Sequence, residues 1–203
     1  MSIAAWQKSM QTLRDFARKE NTGRCEMCAQ EIREDHQHLF DPASRHVICG
    51  CDGCSLLFDS GGRTKYRRIP RDTKLLENFQ LPDTQWERLQ IPISLGFVYR
   101  SSVASVVVAA YPSPFGLVEA TVDEEPWRVI VSANAELVEL REDVEALLVN
   151  RLRGQQDYFI APIDRCFELA GIVRRHWQGM SGGDRVWAEV GHYLAALRKR
   201  ART

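Results

Sequence analysis

Five of the six cysteines fall within thirty residues, at Cys25, Cys28, Cys49, Cys51 and Cys54, while Cys166 stands alone. Even spreading over 203 residues does not produce such a cluster. The opening MSIAAWQKSM shows no signal-peptide pattern, and the most apolar stretch, 103–111, is far shorter than the roughly 20 residues of a membrane span. The chain is therefore expected to be cytoplasmic, with no membrane insertion. In a reducing compartment a cysteine cluster argues for metal thiolates rather than disulfides. Cys25-Glu26-Met27-Cys28 and Cys51-Asp52-Gly53-Cys54 each supply two sulfurs from one loop, which is how a tetrahedral zinc site is commonly built, and 22 residues separate the pairs. Gly53 is expected to provide the second turn. Cys25, Cys28, Cys51 and Cys54 are the predicted metal ligands. Zinc is the expected ion, and iron, which shares the preference for four sulfurs, is the alternative.

Cys49 complicates the ligand set, because it makes five thiolates for four places. His36, His38 and His46 lie in the intervening loop and could also join the site. The run Asp35-His36-Gln37-His38 between two knuckles resembles the nucleases of the His-Asn-His class, in which one His activates water and a second group holds a catalytic divalent ion. The segment after the second knuckle, Ser55 to Asp59, lacks the Asn or His such enzymes place there. Charge also speaks against a nucleic-acid partner, since Lys plus Arg and Asp plus Glu both total 27. The basic residues Arg67, Arg68 and Arg71 are expected instead to steer an acidic protein partner.

Apolar spacing at Ile3, Trp6, Met10, Leu13 and Ala17 predicts an amphipathic helix over 2–19, ended by Asn21 and Gly23. Residues 24–69 read as a zinc-ribbon-like module, 74–82 as a connection, and Asp83 as the start of a short helix. SLGFVYRS (94–101) and VASVVVAAYP (103–112) predict a hairpin. Pro112, Pro114 and Gly116 mark a turn, and 123–134 a helix with acidic residues at its positive end. Residues 145–149 and 157–162 are strand candidates, the first also compatible with a helix. Asp164 is expected to cap a helix reaching Trp177, and Ser181 to Asp184 to lead into a last one. Cys166 reads as a buried small hydrophobe. The resulting expectation is an α+β chain: an N-terminal helix and cysteine-rich module over 1–74, then an α+β domain over 75–203 with a largely antiparallel sheet.

Taken together, the two knuckles, DHQHL (35–39), LLFD (56–59), RIP (68–70), RSS (100–102), YPSPFG (111–116), LLVNR (147–151), PID (162–164) and WQGMSGG (177–183) resemble a bacterial family of about 200 residues. Its members tend to be encoded beside genes for nickel-iron hydrogenases. The resemblance implies a role in maturation, assembly or electron delivery, with a hydrogenase subunit or assembly factor as partner, and it assigns no catalytic residue. The expected function is thus a non-enzymatic metal-binding accessory protein, with an iron-thiolate electron carrier and a His-Asn-His-like nuclease as alternatives.

Overall fold

A computed structural model describes residues 23–58 and 64–202. The helix expected over 2–19 lies outside the described residues. The chain divides after Arg71 into two compact units, and both contain helix and antiparallel sheet.

In the first unit, β1 (Gln37–Asp41) and β2 (His46–Gly50) form a hairpin, and β3 (Arg67–Arg68) adds to the other edge of β1. The buried Asp41 closes the hairpin by accepting from the backbone N–H groups of Ala43 at 3.0 Å and Ser44 at 3.3 Å. An aspartate side chain that mimics a backbone turn in this way explains the tight reversal. A short helix α1 (Asp52–Leu56) follows β2. Among the described residues of this unit, the buried apolar side chains are Cys25, Leu39, Phe40, Val47, Ile48 and Ile69. Those six make a small core for the described part of the unit, and small modules are usually reinforced by a metal or disulfides.

The second unit is built on a six-stranded antiparallel sheet: β4 (Lys74–Leu75), β5 (Leu95–Ser101), β6 (Val106–Ser113), β7 (Gly116–Val122), β8 (Glu145–Asn150) and β9 (Asp157–Pro162), in the order β4-β9-β8-β5-β6-β7. Four helices accompany it: α2 (Asp83–Arg88), α3 (Glu124–Ala133), α4 (Ile163–His176) and α5 (Gly183–Arg200). Val98, Val107, Leu147, Val149 and Ile160 share one core with Trp127 and Ile130 of α3. Phe97 points to the opposite face and meets Phe167 of α4 edge-on at 6.3 Å between ring centres. Helices thus cover both faces, so a central strand has no solvent side. All six residues of β8 are buried, which is why its sequence shows no strand-like alternation.

Several boundaries differ from expectation. Residues 74–75 pair with β9 rather than forming only a connection. The second hairpin strand begins at Val106, and Pro112 is tolerated in it because pairing with β5 stops at Ala110. Residues 116–122 are a strand that the hydrophobic pattern hides: mid-strand Glu119 breaks the apolar run, and its carboxylate accepts from the Tyr99 hydroxyl at 3.1 Å. Asp164 lies inside the first turn of α4 and Pro162 takes the cap position. Gly182 occupies the cap of α5 with φ of 90°, where an added Cβ would lie 2.9 Å from Val186.

Candidate metal centre

The first knuckle is a tight turn closed by backbone bonds from the Cys25 N–H to the Gln30 carbonyl at 2.7 Å and from the Ala29 N–H to the Cys25 carbonyl at 2.8 Å. Ala29 completes the turn in the left-handed region, with φ of 62°. The second knuckle is the start of α1. Cys51 is its N-cap, and its sulfur accepts from the Cys54 N–H at 3.4 Å. Gly53 does not supply a special turn; it is an interior residue of α1 with no positive φ.

These two turns bring Cys25, Cys28, Cys51 and Cys54 together, with all four sulfurs within 4.8 Å of one another. The Cys28 and Cys51 sulfurs are 3.7 Å apart. An ion bound tetrahedrally at about 2.3 Å from each sulfur sets neighbouring sulfurs about 3.8 Å apart. The donor set and spacing therefore fit one metal ion, and zinc and iron are equally served by them. Burial works to raise the Cys25 thiol, but the backbone N–H groups of Cys51, Cys28 and Met27 and the Cys28 thiol outweigh it and bring Cys25 down to about 6. Hydrogen bonding to Cys28 and Cys51, with some burial, pushes Cys54 up to about 12.

The remaining candidates separate from this cluster. Cys49 is not a fifth member: its sulfur groups with His36 and His38, again within 4.8 Å, and His46 belongs to neither group. His36 and His38 stack edge-on with ring centres 4.9 Å apart. Burial, with the charges of His38 and Arg71, lowers the His36 pKa against the opposing effects of the Arg33 carbonyl and Asp35. The spacing pattern alone could not divide five thiols into four and one, because the division depends on the strand pairing that sets Cys49 opposite His38. Arg68 and Arg71 are engaged inside the unit, Arg68 on the Gln37 side chain and Arg71 on the Asp35 carbonyl and the Asp52 carboxylate. Cys166 is fully buried in the second unit and burial drives its thiol well up, as expected of a packing residue.

Two surface features of other kinds remain. Met27 in the first knuckle and Leu56 and Leu57 after the second are exposed, at 39, 61 and 69%. In the second unit a groove of about 590 Å³ is lined by Arg100, Glu124, Trp127, Leu137 and Val138 among others. On its rim Arg100 forms a two-point ion pair with Glu124 at 3.0 and 2.9 Å. Among the described residues no helix is long and apolar enough to cross a membrane.

Residues 24–201 match the model of a family of unknown function (DUF5947). Neither the curated proteins nor the solved structures give a match.

Proposed function

We propose that this chain, which belongs to the DUF5947 family, is a non-enzymatic accessory protein whose cysteine-rich unit is folded around one zinc ion and docks on another protein. The observation that carries this reading is the four-sulfur cluster, in which the Cys28 and Cys51 sulfurs, 3.7 Å apart, have the separation a tetrahedral ion imposes. Cys25, Cys28, Cys51 and Cys54 fill all four positions around such an ion, and a closed site of this kind supplies folding energy rather than a reactive position. Exposed Met27, Leu56 and Leu57 support the docking part, because apolar side chains left in water on a small metal-stapled unit are what a protein partner covers. The partner proposed is a component of nickel-iron hydrogenase assembly, on the sequence resemblance described above.

Metal analysis with a visible spectrum on protein purified without added metal tests the first part. Zinc with no visible band is expected, and a thiolate-to-iron absorption would turn the reading toward an electron carrier. Deletion of the gene in its host tests the second part, with lowered hydrogenase activity expected. Restoration by the native chain but not by Leu56→Asp with Leu57→Asp would place the docking on this unit, and equal restoration by both would remove it from there.

A further inference from the structure

His36, His38 and Cys49 form a group at the hairpin that shares no ligand with the four-sulfur cluster. His38 and Cys49 are direct cross-strand partners of β1 and β2, so their side chains share one face. His36 lies just before β1, and its ring meets the His38 ring edge-on with centres 4.9 Å apart. The three ligand atoms fall within 4.8 Å of one another. A tetrahedral ion with nitrogen at about 2.0 Å and sulfur at about 2.3 Å needs separations of about 3.3 to 3.5 Å, a closure that side-chain rotation can supply.

The state of His36 points to what the group is for. Its Nδ1 lies 2.7 Å from the Arg33 carbonyl oxygen. A carbonyl only accepts, so Nδ1 carries the proton and Nε2 presents a lone pair. That Nε2 is buried and has no hydrogen-bond partner among the described residues. A histidine that only packs usually satisfies both nitrogens, whereas a metal-binding one anchors one nitrogen on a carbonyl and turns the other to the ion.

We propose that His36 Nε2, His38 and the Cys49 thiolate form a second metal site, for a borderline divalent ion of the zinc class, with its fourth position open to water or an exchangeable donor. Two imidazoles and one thiolate suit such ions, and magnesium or calcium would want oxygen ligands. Three protein ligands leave the ion one position short of tetrahedral, the arrangement in which a metal exchanges ligands rather than staples a fold. The hairpin also ties this site to the first. The Cys49 N–H donates to the Glu26 carboxylate at 2.7 Å, and the Glu26 N–H donates to the Cys49 carbonyl at 2.9 Å. Glu26 lies between Cys25 and Cys28, so the first knuckle holds Cys49 in place. The site goes beyond the accessory reading and does not depend on which partner the protein binds.

Cobalt(II) titration of the full-length protein, stripped of metal and kept reduced, reads both sites in one experiment. Two equivalents are expected, one with the intense sulfur-to-cobalt absorption of four thiolates and one with the weaker absorption of a single thiolate. Azide should perturb only the second set of bands, by entering the open position. His36→Ala and Cys49→Ser should each lower the stoichiometry from two to one while leaving the four-thiolate spectrum unchanged; if His36→Ala fails to fold, His38→Gln carries the same readout. Saturation of the native protein at one equivalent with the four-thiolate spectrum intact overturns the second site and leaves the first standing. A second equivalent that survives all of these substitutions overturns the ligand assignment, and bands indifferent to azide overturn the open position.

Discussion

At the scale of single residues, the first knuckle holds a left-handed alanine. Ala29, at φ of 62°, takes the position where a glycine carries no Cβ penalty. Ala29→Gly should therefore favour the folded knuckle by about 1 kcal/mol, less a part returned to the more flexible unfolded chain. In a chelator competition this corresponds to an increase in zinc affinity of up to about fivefold, and an unchanged or weakened affinity would show that the turn carries no such strain. Cys166 makes a contrasting case. It is fully buried away from the cluster, so Cys166→Ser should leave metal content unchanged and cost about 1 to 3 kcal/mol by burying a hydroxyl without an assured partner. Metal loss in that variant would contradict its role as a packing residue.

At the scale of elements, the sheet of the second unit depends on close approaches that few residues permit. A Cβ on Gly96 in β5 would lie 2.9 Å from both the Ala110 carbonyl oxygen on β6 and Ile91 Cδ1. Gly96→Ala should cost about 1 to 3 kcal/mol through overpacking, seen as a lower denaturant midpoint with an unchanged slope. The turn between β5 and β6 is held from outside the hairpin. Asp143, 1% exposed, accepts from the Ser102 N–H at 2.9 Å and the Ser102 hydroxyl at 2.6 Å, while its own N–H donates to the Arg100 carbonyl at 2.9 Å. Asp143→Ala should destabilise the protein by about 2 kcal/mol, and Asp143→Asn, which keeps an acceptor for the N–H, by less. No loss in either variant would mean that the backbone at 143, not its side chain, holds the turn.

At the scale of the whole molecule, the two units draw their stability from different sources. The second unit has a continuous core on one face of its sheet, with Phe97 and Phe167 packed on the other. Among its described residues the first has a handful of buried apolar side chains and four clustered sulfurs. Metal binding in small thiolate modules is folding free energy on the order of 10 kcal/mol, so chelation should unfold the first unit and spare the second. Limited proteolysis should then cut within 24–71 while 72–202 persists, and Cys25→Ser or Cys54→Ser should give the same pattern without chelator. A chelated protein that resists cleavage over 24–71 would show that its few apolar contacts suffice.

Local chemistry was legible in the residue order. Two Cys-x-x-Cys pairs announce a thiolate metal site because each closes within one turn, and the spacing of Val, Ala and aromatic residues announces strands because a strand's preferences act locally. Asp83, the 123–134 segment and the last helix were legible for the same reason. What the order could not decide were matters of pairing. Residues 116–122 become a strand only because β6 accepts them, and β8 is a strand rather than a helix because β5 and β9 flank it. The five clustered thiols divide into four and one for the same cause. Cys49 is only two residues from Cys51, but antiparallel register sets it opposite His38 and α1 turns Cys51 toward the other knuckle. Sequence separation measures distance along the chain, and a metal responds to distance through space, which register alone converts from one to the other.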